Sequence, residues 1–305
     1  MSTKNRINDF GTWIRQRFPF RVQKLSIDAG FSCPNRDGRI GTGGCIYCDN
    51  RTFNPVYCDN KLSVSQQLER GKAFFAKKYP SMKYLAYFQA YTNTYAPLSQ
   101  LAPLYEEALQ VEDVVGLVIG TRPDCVSTEL LDYLASLPVF VLIEYGIESC
   151  NDGTLKRINR GHDFGCVRRI VGETHRRGLL SGGHVILGLP GEDEAESIRQ
   201  ASIISQLPLD ILKIHQMQVI QGTRLAELYQ QEPFHVYSVE EYVRLVSLYV
   251  SHLRPTLVLE RFVSQSPPQL LLAPRWGIKN HEFTHLLECY MEKTDTWQGK
   301  ACSTP

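Results

Sequence analysis

Apolar and polar positions follow two alternating patterns between residues 24 and 217. Short apolar runs of strand length are separated by longer segments in which apolar residues recur every three or four positions, as on one face of an amphipathic helix. The runs predict strands at Lys24–Gly30, Lys83–Gln89, Val114–Ile119, Val139–Gly146, Gly183–Leu187 and Ile211–Met217. The intervening segments predict helices at Ser63–Tyr79, Leu98–Gln110, Ser127–Ser136, Phe164–Arg177 and Glu192–Gln206.

This alternation predicts the α/β class, with a parallel sheet built from βα units. Six such units fall short of the eight that close a TIM barrel, so we expect a partial (βα)6 TIM-like barrel. After Val219 the pattern changes to helices at Thr223–Gln231, Ser238–Leu253 and His281–Lys293. We therefore expect an N-terminal segment (1–22), a core (23–220) and a C-terminal α/β extension (221–305) that covers the open barrel.

Composition and charge exclude little. The chain has 305 residues, of which 43% are hydrophobic and 21% charged, as in an ordinary globular protein. Its net charge of +1 gives no overall electrostatic reason to bind nucleic acid. The polar N-terminus predicts neither a secretory signal nor a membrane span, and nine scattered cysteines suit a reducing compartment. We expect a cytoplasmic protein.

The most unusual stretch is the loop after the first predicted strand, CPNRDGRIGTGGCIYC, which spans Cys33 to Cys48. Its three cysteines have the spacing C-x11-C-x2-C. A structural zinc site needs four ligands, and Cys58 is the nearest spare thiol. A [4Fe–4S] cluster with three thiolates instead leaves one iron open to another ligand. The spacing alone leaves both interpretations open.

Other motifs stand at or just after the ends of predicted strands: YFQAYTNTY, GTRPDC, EYGIES, HVILGLPGE and KIHQMQVIQGT. Together with the cysteine loop, they resemble the radical S-adenosylmethionine (radical SAM) superfamily. The resemblance is to the YhcC-type branch, which is related to the catalytic subunit of Elongator. It extends over roughly residues 20 to 220.

The resemblance implies that Cys33, Cys45 and Cys48 ligate a [4Fe–4S] cluster whose open iron binds S-adenosylmethionine (SAM). One electron, from a donor such as flavodoxin or ferredoxin, then cleaves SAM to methionine and a 5′-deoxyadenosyl radical. That radical abstracts a hydrogen atom from the substrate. The protein's part is to position SAM and substrate and to exclude solvent.

The resemblance also nominates contacts to SAM. The segment containing Gln89, Thr92 and Asn93 takes the place of a glycine-rich segment that receives the SAM ammonium group. Arg160 would bind the SAM carboxylate, and Glu148, twelve residues before it, a ribose hydroxyl or the ammonium group. His184 is a further candidate near the ribose. A surface ion pair of Glu148 with Arg160, or a purely structural histidine, is the alternative interpretation.

The substrate implied by the resemblance is the side chain of a wobble uridine in tRNA. Two basic groups fit this partner: one around Arg15, Arg17, Arg21 and Lys24, which is interleaved with aromatic residues, and one at Arg168, Arg169, Arg176 and Arg177. Either group is also compatible with a solvated helix face. The alternatives are a radical SAM enzyme for a small metabolite or tetrapyrrole, and a zinc-stabilised binding protein.

Overall fold

The computed structural model describes residues 5–52, 54–76 and 81–302. Its helices are α1 (Phe10–Arg17), α2 (Val64–Ala76), α3 (Leu98–Gln110), α4 (Thr128–Ser136), α5 (Asp152–Arg157), α6 (Phe164–Arg176), α7 (Glu194–Gln206), α8 (Arg224–Gln231), α9 (Val239–Ser251) and α10 (Asn280–Lys293). Its strands are β1 (Arg21–Ile27), β2 (Met82–Phe88), β3 (Val114–Thr121), β4 (Phe140–Glu148), β5 (Leu180–Leu187), β6 (Ile211–Gln216), β7 (Val219–Ile220), β8 (Val258–Arg261) and β9 (Leu271–Ala273). The predicted end of the second helix at Tyr79 lies outside the described residues.

Seven parallel strands form one sheet in the order β1-β2-β3-β4-β5-β6-β8. The predicted partial barrel of α/β class is confirmed, and its six predicted strands are β1 to β6. The C-terminal region does more than cover the barrel, because β8 pairs with β6 and extends the sheet by one strand. Strands β7 and β9 form a small antiparallel pair. Among the described residues, no helix has the length and apolar character needed to cross a bilayer.

The sheet curls strongly enough to bring its first and last strands face to face. Lys24 Nζ on β1 donates a hydrogen bond to Glu260 Oε1 on β8 at 2.6 Å. The two residues meet although five strands separate β1 from β8 in the sheet. Lys24 also reaches Glu144 on β4. The interior of the half-barrel is therefore narrow enough for side chains to meet across it.

Helix α1 plugs the amino-terminal end of this interior, and the sequence pattern did not predict it. Trp13 packs there in a separate core cluster with inward-facing residues such as Leu142 and Val258. The segment before the helix also bonds to the outer edge of β8, where Leu259 N donates to Asn8 O. The N-terminal segment is therefore held both inside the curled sheet and at its edge.

Some helix starts, such as those of α4 and α7, differ from the predictions by one or two residues because capping residues were counted as helical. Ser127 and Asp193, for example, lie outside α4 and α7, and their side chains accept hydrogen bonds from backbone N–H groups of the first turn. Strand β5 begins at Leu180, three residues before its predicted start, because Ser181 and two glycines interrupt the apolar pattern. The order of the predicted elements is unaffected.

Candidate active site

A cavity of about 760 Å³ lies at the carboxyl ends of the strands. Parallel strands direct the loops that follow them to this edge, which is where α/β proteins bind ligands. The cavity is lined by most of the residues predicted for the site: Cys33, Cys45, Cys48, Gln89, Thr92, Glu148, Arg160 and His184. The structure thus gathers side chains from four strands, β1, β2, β4 and β5, or from the loops that follow them.

Asn93 differs from this expectation, because it does not line the cavity. Its side-chain nitrogen donates to Gly120 O at 2.9 Å, and the Tyr105 hydroxyl donates to Asn93 O at 2.6 Å. Asn93 is fully buried and ties the end of β2 to β3. It supports the neighbouring cavity residues Gln89 and Thr92 from behind.

The cysteine loop is folded around the side chain of Arg36, which the sequence analysis did not single out. Arg36 Nη2 donates to Cys48 O at 2.6 Å. Gly44, with φ of +79°, makes room for this contact, because a Cβ at that position would lie 2.8 Å from Arg36 Nε. Asn35 Nδ2 lies 3.7 Å from Cys45 Sγ. The loop therefore places Arg36 against the backbone of Cys48 and one side-chain donor, Asn35, beside the Cys45 thiol.

The donor set suits a cluster better than a single zinc ion. Cys58, the proposed fourth zinc ligand, does not line the cavity, and its thiol donates to Ser26 O at 3.0 Å. Burial raises the pKa of Cys58 to about 12, which keeps it a neutral thiol. In the described ranges no three His, Cys, Asp or Glu side chains are grouped so as to hold one metal ion. The three loop cysteines all line the cavity, and a [4Fe–4S] cluster held by three thiolates would leave one iron open there.

Arg160, which was predicted to bind the SAM carboxylate, contacts a loop cysteine directly. Its Nη1 lies 3.6 Å from Cys45 Sγ, and its Nη2 donates to Gly146 O at 2.6 Å. Glu148 Oε1 is 3.5 Å from Nη2. The pair is not a surface ion pair, because both side chains are largely buried in the cavity wall. Arg160 Nε is buried without a hydrogen-bond partner among the described residues.

A break in the regular sheet directs Glu148 into the site. The register between β4 and β5 shifts between Gly146 and Glu148, and Glu148 has φ of +68°. A non-glycine residue in this region is uncommon and needs support from its surroundings. A Cβ on Gly146 would lie 2.5 Å from both Arg160 Nη2 and Glu148 Oε1. Glycine at position 146 is therefore what allows the two side chains to meet.

Below the cysteine loop, a buried carboxylate collects three cationic or hydrogen-bonding side chains. Glu144, whose side chain is 1% exposed, accepts from Lys24 at 2.8 Å, Lys213 at 2.7 Å and His184 at 3.1 Å. Burial raises the pKa of a carboxyl, but the charges of Lys213 and Lys24 outweigh it and hold the pKa of Glu144 well below its usual value. Glu260 bonds Lys24 at 2.6 Å from the opposite wall. We call these five residues the charge network.

A second histidine, His215, lies beside His184 of the charge network. The rings of His184 and His215 are 5.3 Å apart, and His215 Nδ1 is bonded to the Ser264 hydroxyl. Burial lowers the pKa of His215 well below its usual value, with the neighbouring His184 adding to the effect, so His215 is neutral at pH 7. His215 Nε2 is buried and has no partner in the described part of the chain. The floor of the cavity is thus polar and titratable.

The C-terminal region supplies one wall of the cavity. Gln216 exchanges hydrogen bonds with the Ser264 backbone, at 2.7 and 2.9 Å, and Ser266 Oγ donates to Gln218 at 2.7 Å. These serines, and Glu260 and Arg261 on β8, were not predicted from the sequence. The signal available for Glu260 and Arg261 was a pair of charges inside the apolar run LVLERFV.

The two predicted basic groups do not form the surfaces expected of them. Lys24 points into the barrel as part of the charge network, so it is not an external phosphate contact. Arg17 lies over the Trp13 ring at 3.6 Å. Arg176 and Arg177 are both paired with Glu173 on α6. These pairings fit a solvated helix face better than a nucleic-acid surface.

Family models match most of the chain. A model described as the Radical SAM superfamily matches residues 36–199, and one described as the Radical_SAM C-terminal domain matches residues 209–293.

Three relatives illustrate the similarity. The protein YhcC of Escherichia coli K12 is 35% identical over 308 residues, which cover 100% of this chain and 98% of that protein. A tRNA uridine(34) acetyltransferase of Methanocaldococcus infernus is 26% identical over 196 residues, 62% of this chain but only 36% of that protein. The structure of the archaeal Elp3 from the same species superposes with a TM-score of 0.67 at 18% identity, covering 91% of this chain and 64% of that one.

Proposed function

The chain belongs to the radical SAM superfamily, and on this premise we propose that it modifies the side chain of a wobble uridine in tRNA. It is a radical SAM enzyme, and the superfamily uses a [4Fe–4S] cluster and SAM. When bound, these cofactors supply the one-electron cleavage of SAM to methionine and a 5′-deoxyadenosyl radical, which takes a hydrogen atom from the substrate. In this proposal the electron comes from a donor such as flavodoxin or ferredoxin.

The proposed cluster ligands are Cys33, Cys45 and Cys48. Support comes from their shared position on one cavity and from the separate hydrogen bond that occupies Cys58. Arg160, 3.6 Å from Cys45 Sγ, would stabilise the thiolate form, because a hydrogen bond from a cation is stronger to a charged acceptor. From this position Arg160 would hold the cluster, and it remains the proposed contact of the SAM carboxylate.

The proposed SAM contacts lie around the same opening. Gln89 and Thr92, with the backbone between them, would receive the ammonium group, while Glu148 and His184 would reach the ribose. The strained φ of Glu148 supports this assignment, since such backbone strain is concentrated at functional sites. His184 is already oriented by Glu144, at 3.1 Å.

We propose that residues 23–220 form the catalytic core and that residues 221–305 form an extension that completes it. The extension contributes β8, with Glu260 of the charge network, and the serine-containing wall at residues 264–266. Both line the cavity. The extension would therefore shape the end of the cavity that receives the substrate.

Similarity to the tRNA uridine(34) acetyltransferases is the observation that carries the substrate proposal, because position 34 is the wobble position. The cavity is compatible with it: about 760 Å³ is near the upper part of the range for small-molecule sites. Such a volume suits SAM together with one base. An enzyme that acts on a base takes it out of the stack and into a pocket of this kind.

The first test concerns the cluster. Anaerobic reconstitution of the wild-type protein should give a brown protein with about four irons per chain, because three thiolates then hold one [4Fe–4S] cluster. Cys45→Ala should lose most of this iron, while the matched control Cys58→Ala should retain it. A colourless protein with one bound zinc would contradict the cluster proposal.

The second test concerns the substrate. Nucleosides of total tRNA from cells with and without the gene are compared by mass spectrometry. We expect a precursor of a modified wobble uridine to accumulate without the gene, wild-type or Cys58→Ala protein to reverse this, and Cys45→Ala protein to fail. An unchanged wobble-uridine profile would remove tRNA as the substrate while leaving the cluster result intact.

A further inference from the structure

Apolar side chains are exposed beside the cavity opening. Across the described ranges the exposed large apolar residues are Ile40, Val56, Phe74, Tyr91, Leu286 and Trp297. Val56 is the most exposed of them, at 92%, and its neighbours Pro55 and Tyr57 both line the cavity. Phe74, at 59%, lines the cavity itself. An exposed apolar surface that continues into a binding cavity indicates an interaction site.

Three aromatic side chains in mutual contact, those of Tyr57, Phe74 and Phe75, form part of this surface. Together with Val56, which precedes Tyr57 in the chain, we call them the aromatic shelf. The Phe74 ring lies 5.7 Å from Tyr57 and 5.1 Å from Phe75, in tilted and edge-on contacts. Tyr57 is itself fixed, because its hydroxyl accepts from Ser26 N on β1 at 3.1 Å. Phe74 is therefore held by its neighbours while more than half of its surface remains open to a partner.

The cavity lining carries a small excess of positive charge, and one of its arginines is free to meet an anionic partner. The cavity lining includes six Lys or Arg side chains and four Asp or Glu side chains. Arg261 lines the cavity and is exposed, and among the described residues its side chain forms no ion pair or hydrogen bond. Arg261, Tyr57, Phe74 and Phe75 line the same cavity, and proteins bind single-stranded nucleic acid with aromatic rings combined with cationic side chains.

We propose that the aromatic shelf binds a nucleobase adjacent to the base that enters the cavity, so that the enzyme recognises a single-stranded RNA loop. This inference rests on the proposed action on a tRNA wobble uridine and adds the surface that holds the loop. A base removed from a loop leaves its neighbours unstacked, and an exposed aromatic ring at the opening replaces part of the lost stacking. Phe74 is the stacking residue.

The test measures RNA binding by the reconstituted holoenzyme in the presence of SAM. The probe is a fluorescent RNA hairpin with an anticodon stem-loop sequence, and fluorescence anisotropy gives its Kd. Phe74→Ala should weaken binding roughly 5- to 100-fold, the loss expected for one stacked base. Phe74→Trp should bind within about twofold of wild type, whereas Phe74→Leu should resemble Phe74→Ala. Thermal melting of each variant checks that the fold is retained.

Matched controls come from the exposed apolar residues Leu286 and Trp297, which do not line the cavity. Leu286→Ala and Trp297→Ala should leave hairpin binding unchanged, and a duplex RNA without a loop should bind wild type much more weakly.

Each of the following results would overturn part of the proposal. Wild-type affinity in Phe74→Ala would overturn the shelf while leaving the wobble-uridine proposal to the nucleoside assay. Equal binding by Phe74→Leu and Phe74→Trp would indicate an apolar surface for a protein partner rather than base stacking. Equal affinity of the hairpin and the duplex would refute loop recognition, and no binding of the hairpin by wild type would contradict the tRNA proposal as well.

Discussion

Glu144 is the residue on which the charge network depends. The substitution Glu144→Gln is therefore the most informative test of how much the network contributes to the free energy of unfolding. The substitution keeps the size of the side chain but removes the charge that faces Lys24 and Lys213 at 2.8 and 2.7 Å. Both lysines stay buried. Since the free energy of a buried charge depends on its partner, the variant leaves two cations with less compensation than they have in the wild type.

The expected loss follows from the remaining partners. Removing one member of a buried ion pair costs about 3–5 kcal/mol. Glu260 still bonds Lys24 at 2.6 Å and lies 3.4 Å from Lys213, so we expect the lower end, about 3 kcal/mol. With a urea dependence near 3 kcal/mol per molar, the unfolding midpoint should fall by about 1 M. Far-UV circular dichroism of metal-free proteins gives this midpoint without a contribution from cluster loss.

Two further proteins separate the charge effect from a general loss of packing. Lys213→Met in the Glu144→Gln background removes one uncompensated cation, so the double variant should be more stable than the single one. Glu288→Gln, at an exposed position on α10, should change stability by less than about 0.5 kcal/mol. A midpoint shift below about 0.2 M for Glu144→Gln, or a double variant less stable than the single, would refute the reasoning.

Two other predictions concern pH and the cavity wall. Because the lysines hold the pKa of Glu144 well below its usual value, its contribution to stability should be complete above the unfolded pKa, decrease progressively as the pH falls below that value, and be gone once the pH has fallen through the lowered pKa of the folded state. The stability difference between wild type and Glu144→Gln should therefore be constant from about pH 8 to 5 and shrink below that, as urea titrations at each pH will measure. Gly146→Ala places a Cβ 2.5 Å from Arg160 Nη2, so the arginine must move. The affinity for SAM, measured by equilibrium dialysis, should fall at least about tenfold. The control Gly172→Ala, whose Cβ meets only the Arg176 side chain at 3.9 Å, should not change this affinity. Unchanged SAM affinity in Gly146→Ala would show that this corner of the cavity does not hold the cofactor.

The fold was largely predictable because its strands and helices differ in hydrophobic period. Strands β2, β3, β4 and β6 are buried on both faces and form continuous apolar runs, which is why each was found within two residues of its bounds. Helix α1 was missed because its apolar residues alternate with arginines and glycine over only eight residues. Its role as a plug depends on β4 and β8, which are distant in sequence, and no local pattern carries that information.

The site was predictable only where its chemistry is local in sequence. The cysteines share one loop, so their spacing is visible in the sequence. The charge network joins Lys24, Glu144 and Glu260, which are more than one hundred residues apart and meet only because the sheet curls. The contact of Arg160 with Cys45 depends on the register shift after Gly146. A sequence motif can nominate Arg160, but its partner is set by the backbone.

The geometry also gives a physical reason for the long C-x11-C spacing. After Cys33 the chain makes a tight turn, with Arg36 N donating to Cys33 O, and this places Asn35 and Arg36 inside the loop. Asn35 then bonds Asn159 O, and Asn159 Nδ2 donates to Gly44 O at 2.8 Å. Ile46 N donates to Ile158 O at 3.1 Å on the same segment.

The cysteine loop and residues 158–160 are therefore one hydrogen-bonded unit. A loop with so few buried apolar side chains gains little from hydrophobic burial and depends on such contacts for its conformation. The residues between the first two cysteines supply them, and a shorter loop without Asn35 and Arg36 would lose both the link to Asn159 and the donor to Cys48 O. The added length is thus what holds the cysteines in position around the cavity.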